Sequence, residues 1–372
     1  MIETGPFRSF LSGASTHAES RATPGKGSNL SVTVTLNDGA SACVRLSPST
    51  GQLTLEQSTG NEDTTRHALF AATEAAIAWH PEVPSWRLDT SIVPRLAEPW
   101  LAEGIAVTDN GVETVLPDLF MQQRRGWLAQ PDRPAYPQHH IMTGGRYHPR
   151  RPPKPEGIVY ARNIPWLGQT LTFRAATMND VGSLHIWMND PQVDSFWQES
   201  GDRAKHERYL SGLLADPHMF PIIASLDGTD FGYFEIYWAK ENRLGPFYDA
   251  QDHDRGWHVL IGEPAFRGRQ FITAWLPSMM HYLFLDDCRT QRIVGEPAAA
   301  HHQQLRNLER SGFAKVKSFD FPHKRAVLVM LQRERFFGDR LWSPAVDPFV
   351  RPSKGAPETD RAHSLREDAP TP

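Results

Sequence analysis

The chain has 372 residues, 22% charged and 40% hydrophobic, with a formal net charge of −4. Its length suggests two domains of roughly 100–200 residues each, and its small acidic excess argues against nucleic acid as the main partner, because phosphate-neutralising proteins carry a basic surplus or a basic face. Two distant cysteines, Cys43 and Cys288, exclude a disulfide framework, residues 1–20 lack a charged segment leading into an apolar run, and no stretch reaches the roughly 18 apolar residues that span a bilayer. These features together predict a cytoplasmic protein that does not enter a membrane.

Residues 1–28 are rich in Ser, Gly, Thr and Ala, which predicts a loose arm. From residue 29 the pattern alternates: Leu30, Val32, Val34 and Leu36 form one strand, Asn37-Asp38-Gly39 a hairpin turn, and Cys43, Val44 and Leu46 the return strand. Leu53 and Leu55 suggest a third. An alanine-rich helix is expected over 65–79, ended by His80-Pro81, and another over 117–128. Residues 29–128 thus read as a small α+β domain without a catalytic constellation. Prolines cluster in 129–168, predicting a semi-rigid linker. A second domain is expected over 169–340. Its strands fall near 171–174, 220–226, 231–238, 256–261, 291–296, 314–319 and 326–332. Its helices end near Met188 and cover 202–215, 270–285 and 301–311, the last stopped by Gly312. Residues 341–372 return to Pro, Asp, Glu and Arg and read as a disordered tail. No internal repeat is evident.

The most informative stretch is Gly256-Trp257-His258-Val259-Leu260-Ile261-Gly262-Glu263, followed by Phe266-Arg267-Gly268-Arg269-Gln270. It places one polar ring on a strand, then a basic glycine turn, then a helix start, where unpaired N–H groups attract phosphate. The order of elements after residue 169 resembles the GNAT N-acyltransferase fold, an α+β mixed sheet. Four segments resemble the siderophore-biosynthesis branch of that superfamily, which acylates hydroxylated lysine, ornithine or diamines. They are His185-Ile186-Trp187-Met188-Asn189-Asp190-Pro191 with Phe196-Trp197; Gly232-Tyr233-Phe234-Glu235-Ile236-Tyr237-Trp238; the His258 motif; and Glu296-Pro297 leading to Leu308-Glu309-Arg310-Ser311-Gly312-Phe313. The resemblance covers about residues 145–335, and points to aerobactin-type N6-hydroxylysine acetyltransferases and mycobactin-type lysine acyltransferases.

The resemblance implies acyl-CoA, with acetyl-CoA the first choice, as co-substrate, a hydroxylated amino acid or diamine as acceptor, and no metal. Acyl transfer needs a neutral nitrogen, a polarised thioester and a path for a proton. His258 is the candidate base; a buried histidine satisfied by one hydrogen bond is the other reading. Glu296 either orients that ring, holds the acceptor or relays a proton, or else it caps the following helix. Glu235, in an otherwise apolar strand, either meets the acceptor or faces solvent. Asn189, Asp190 and Trp197 are expected over the acceptor, while Trp187 and Met188 read as core. Backbone N–H groups of Val259, Leu260 and Ile261 are expected to polarise the thioester, and Arg267, Gly268, Arg269 and Gln270 to form the pyrophosphate turn. In that turn Gln270 and Ile272 replace glycines, and Ala298 replaces a second acid after Glu296-Pro297. Another N-acetyltransferase, or a binding protein on the same fold, stays an alternative.

Overall fold

The computed structural model describes residues 6–11, 16–25, 27–89 and 94–344. The N-terminal half begins with strands β1 (Phe7–Leu11), β2 (Thr16–Pro24), β3 (Leu30–Leu36), β4 (Ser41–Ser47) and β5 (Gln52–Ser58). Helix α1 (Glu62–Trp79), strand β6 (Trp86–Leu88), helix α2 (Pro94–Ala102) and strands β7 (Val107–Asp109) and β8 (Val112–Val115) follow. Asn61 caps α1, accepting from the Thr64 N–H through its side chain, and Glu62 and Asp63 favour the positive end of the helix. The eight strands form one sheet in the order β1-β2-β3-β4-β5-β6-β8-β7. All neighbours are antiparallel except β5 and β6, the two strands that α1 connects.

A short helix α3 (Pro117–Phe120) and the hairpin β9 (His140–Thr143) and β10 (Arg146–Pro149) lead into the C-terminal half. There β11 (Ile158–Ile164) and β12 (Gln169–Ala175) precede three helices: α4 (Val181–Met188), α5 (Pro191–Trp197) and α6 (Arg203–Ala215). Strands β13 (Met219–Leu226), β14 (Thr229–Trp238) and β15 (Arg255–Ile261), helix α7 (Arg269–Asp286), strand β16 (Arg292–Gly295), helix α8 (His302–Arg310), strands β17 (Ala314–Asp320) and β18 (Arg325–Gln332), and helix α9 (Arg333–Gly338) complete it. The second sheet has the order β11-β12-β13-β14-β15-β16-β18-β17. Only β15 and β16, joined by α7, run parallel.

The two halves therefore repeat one topology, strand for strand, which corrects the expectation of no internal repeat. The repeat is invisible in residue patterns because the halves share connectivity and buried faces rather than side chains. It also lets the halves be compared by position. Gln52 and Leu53 pair with Arg87 and Leu88, as Arg255 and Gly256 pair with Ile293 and Val294. Two residues further along, Leu55 with its partner Val44 stands where the second half has His258 with its partner Glu235. The first half has the sheet without the polar row.

Corresponding edge strands β1 and β11 lie against each other, and one continuous apolar core crosses both halves. At the junction the thirteenth residue of each 18-residue helix faces the same indole. Glu74 of α1 accepts from Trp127 Nε1 at 3.2 Å, and the His281 ring of α7 lies 4.8 Å from the Trp127 ring. His281 takes a hydrogen bond from the Tyr160 hydroxyl at Nδ1 and donates from Nε2 to the Met121 carbonyl. Burial pushes the His281 ring down to about 3, so it stays neutral.

Several boundaries differ from expectation. The supposed arm contains β1 and β2, with Phe7, Ser9, Ala18 and Ser20 buried, because β2 takes its order from a seven-residue ladder on β3. The predicted helix over 117–128 shrinks to α3 and one 3-10 turn at Arg124–Gly126. The 129–168 segment is no linker. Gly144 and Gly145, both at positive φ, form the tight turn of the β9–β10 hairpin, and β11 already belongs to the second sheet. That segment is fastened to the β14–β15 connection by Arg151, whose Nε and Nη2 meet the two Glu241 oxygens at 2.5 and 2.6 Å. In the predicted tail, Leu341 and Trp342 pack on the core and the Trp342 carbonyl accepts from Arg162; residues 345–372 lie outside the described residues.

Glu74 is fully buried and its Oε2 has no partner among the described residues, so burial raises its carboxyl to about 7. A carboxyl with a raised folded pKa binds more protons in the native state, so stability should fall as pH rises from about 4.5 to 7, by roughly 1.4 kcal/mol per unit. Denaturant unfolding across that range should show this slope, and Glu74→Gln should abolish it and stabilise the protein above pH 7.

Candidate active site

Pairing in the second sheet puts Glu235 of β14 directly opposite His258 of β15. Paired residues project to the same face, so the carboxylate and the ring meet there, while Trp257 and Val259 point to the other face. His258 Nδ1 lies 3.0 Å from Glu235 Oε2, and Nε2 lies 3.2 Å from Oε1 of Glu296, the residue just past β16. Both acids are buried, and tyrosines satisfy their remaining lone pairs. Tyr209 and Tyr233 donate to Glu235 Oε1, and Tyr237 donates to Glu296 Oε2 at 2.8 Å.

Gly256 makes this geometry possible. It pairs with Tyr237, and a Cβ there would lie 2.1 Å from the tyrosine ring. Only a glycine lets the ring cross β15 and reach Glu296. Gly262 likewise leaves room for Trp187, 2.1 Å from where its Cβ would stand, and the Trp187 indole donates to Glu263.

The electrostatics follow from the row of partners. Burial opposes a charge on His258, but the hydrogen bonds its ring donates to Glu235 and Glu296, then their negative charges, hold the ring up at about 9. Burial works against ionised Glu296 too, yet the His258 contact and the cations near it keep its carboxyl far below the usual range. Burial and the adjacent acids raise the hydroxyls of Tyr209, Tyr233 and Tyr237, which keeps them as donors. At neutral pH the His258 ring is an imidazolium and Glu296 a carboxylate.

This row forms the floor of a cleft of about 640 Å³. The cleft exists because β15 and β16 pair only at Arg255–Ile293 and Gly256–Val294, then separate. Beyond Gly256 the outer edge of β15 has no neighbouring strand among the described residues, so its backbone groups there are left to side chains or a ligand. Trp197 spans part of the gap, its indole donating to the Val259 carbonyl at 3.1 Å.

The structure brings His258, Glu235, Glu296, Trp197, Val259, Leu260, Ile261 and Arg267 into one cleft. Glu235 faces the ring and not bulk solvent. Asn189 and Asp190 stand apart from that lining. The Asn189 amide ties the His185 and Gly201 backbone together, and Asp190 caps α5 and pairs with Arg267. Arg267, expected in the pyrophosphate turn, donates to the Ile261 and Gly262 carbonyls. Gly268 is the N-cap of α7, and Arg269 and Gln270 open its first turn. That turn has no side-chain cap and no acid, the combination that suits an anion. Sequence reasoning passed over Tyr209, Tyr237, Arg243 and Lys324. Tyr237 was legible, since it shares the period-two face of Glu235; the others come from α6 and two irregular loops.

Residues 176–321 match the family model of the acetyltransferase (GNAT) domain. Over 195 residues the chain is 46% identical to the N(5)-hydroxyornithine:cis-anhydromevalonyl coenzyme A-N(5)-transacylase of Beauveria bassiana, covering 51% of this chain and 43% of that one. It is 43% identical over 192 residues to the N(6)-hydroxylysine O-acetyltransferase of Escherichia coli, covering 51% and 61%. A hydroxyornithine transacylase of Ajellomyces capsulatus is 39% identical over 216 residues, covering 55% and 49%. The C-terminal half carries a GNAT domain, and about half of the chain is similar to these acyltransferases of hydroxylated amino acids. The match spans about half the length of these relatives, and its extent agrees with the resemblance read from the four motifs. Among the described residues no helix of this GNAT-containing chain is long and apolar enough to cross a membrane.

A raised histidine pKa contributes stability that is complete below about 6.5 and is lost as pH rises through about 9. NMR titration of the His258 ring should therefore give a midpoint near 9 in the native protein. Glu296→Gln should move that midpoint down by at least one unit, and an unchanged midpoint would mean that Glu296 does not hold the proton.

Proposed function

We propose that the GNAT domain transfers an acyl group from acyl-CoA to the hydroxylated side-chain nitrogen of a lysine- or ornithine-type acceptor, forming a hydroxamate. The observation that carries this reading is the Glu235–His258–Glu296 row at the point where β15 and β16 part. The names of the relatives, each an enzyme of a hydroxylated amino acid, support the acceptor class. Acetyl is the first acyl group to test.

The chemistry asks little of a base. A hydroxylamine nitrogen is neutral near pH 7, whereas an unmodified lysine has a pKa of about 10.4 and would first have to lose a proton. The nitrogen attacks the thioester carbon, whose oxygen is stabilised by backbone N–H groups on the open edge of β15. Collapse breaks the C–S bond, and the proton leaving nitrogen passes to the row. His258 already carries two protons at rest, so it acts as the middle of a relay between two carboxylates rather than as a free base. The proton ends on the departing sulfur, giving the hydroxamate and free CoA. The open first turn of α7, with Gly268 at its cap, is the place for the CoA pyrophosphate.

The test is incubation of the protein with acetyl-, succinyl- and longer acyl-CoA and N6-hydroxylysine, N5-hydroxyornithine, lysine and ornithine. Products are read by mass spectrometry and by ferric-ion colour, which appears with an N-acyl hydroxamate and not with an O-acyl ester. Turnover should favour hydroxylated acceptors, and His258→Ala should lower it at least about a hundredfold while calorimetry still detects acetyl-CoA binding. A preference for plain amines, or undiminished turnover in the variant, would overturn the assignment.

A further inference from the structure

The acceptor face of the second sheet has two unlike walls. On one side stand Trp197 and Tyr209 from α5 and α6. On the other stand Arg243, from the loop after β14, and Lys324, from the turn between β17 and β18. Both cations lie over the same ring, Phe321, with Arg243 Cζ 5.5 Å and Lys324 Nζ 5.7 Å from its centroid. Arg243 Nη2 donates to Glu296 Oε1 at 3.1 Å, and Lys324 Nζ donates to the Glu296 main-chain carbonyl at 2.8 Å. Each contact uses only part of the donor set. The Nε and Nη1 of Arg243 make no hydrogen bond among the described residues, and its side chain is 49% exposed in the cleft.

The charges around the row do not cancel. Glu235 and Glu296 supply two negative charges; the His258 imidazolium, Arg243 and Lys324 supply three positive ones, and Glu199, which also lines the cleft, is paired with Lys205. A small ligand with a negative group at the Arg243 end completes the balance. His258 Nε2 and Arg243 Nη2 share one carboxylate oxygen at 3.2 and 3.1 Å, so they are no more than about 6 Å apart. An arm of three or four methylenes, with its hydroxylated nitrogen beside His258, reaches past that gap.

We propose that Arg243 and Lys324 bind the α-carboxylate of the acceptor, and that the enzyme therefore takes hydroxylated amino acids in preference to hydroxylated diamines. This rests on the hydroxamate-forming reading and narrows its acceptor. Arg243 offers the planar fork that suits a carboxylate, while Lys324 adds a point charge on the same side.

The experiment compares N6-hydroxylysine with N-hydroxycadaverine, which has the same arm and no carboxylate, for the wild type, Arg243→Met and Lys324→Met, each with acetyl-CoA and succinyl-CoA. Calorimetry of both acceptors runs alongside. A charge-assisted hydrogen bond lost from a site costs roughly ten- to a hundredfold. The wild type should prefer hydroxylysine by at least about tenfold in kcat/KM. Arg243→Met should remove most of that preference through KM, with kcat/KM falling at least about tenfold further for hydroxylysine than for the diamine.

Three results would overturn the inference: equal use of both acceptors by the wild type, an equal loss on both acceptors in the variant, as expected if Arg243 only supports Glu296, or a loss confined to succinyl-CoA, which would assign the cations to the acyl donor. Failure of the parent reading looks different. No hydroxamate would form from any acceptor, yet carboxylate-dependent binding of hydroxylysine in calorimetry would still support the recognition site.

Discussion

Two residue pairs hold β15 to β16, and the site exists because there is no third. Each strand is fully laddered on its other side, β15 to β14 and β16 to β18, so neither can relax toward the gap. Helix α7 runs from the end of β15 to the start of β16, the connection that makes the two strands parallel. The opening leaves the outer edge of β15 without a strand to consume its backbone groups. It also leaves Glu296, one residue past the strand, free to turn toward His258 instead of entering a ladder.

Burying two carboxylates beside each other is costly unless their lone pairs and charges are met. Here the imidazolium lies between them and three tyrosines close the remaining positions. The arrangement explains residues that would otherwise look arbitrary. Gly256 is needed by Tyr237, Tyr237 by Glu296, and Glu296 by the charge on His258. A substitution at any member is transmitted along the chain of contacts, so the row behaves as one unit and single effects on it will not add.

The repeated topology shows how little of this belongs to the fold itself. In the first half Leu55 and Val44 occupy the places of His258 and Glu235, and the connection to α1 is only residues 59–61, against 262–268 before α7. The three helices between β12 and β13, two of which wall the cleft, have no counterpart between β2 and β3 among the described residues. The first half keeps the layers and has no polar floor. It meets the second half through Trp127, which lies between α1 and α7, and the apolar core runs on through both.

How much of this could be read beforehand depended on whether a residue's partner was local in pattern. His258, Glu235 and Glu296 were legible because alternating strands place polar residues on a predictable face and the motifs around them are distinctive. The β1 and β2 strands were not, since Ser9 and Ser20 are buried small polar residues whose order comes from β3 and α1. Gly144-Gly145 was visible as a glycine pair but sat among prolines, and composition outweighed its turn signal. Arg267 carried the charge expected of a phosphate ligand, and only the fold reveals Asp190 and two carbonyls already using it. Arg243 and Lys324 are 81 positions apart in loops without period, brought together by Phe321 and Glu296. Such loop residues lie outside the sheet that both halves share, so neither strand alternation nor the repeated topology points to them.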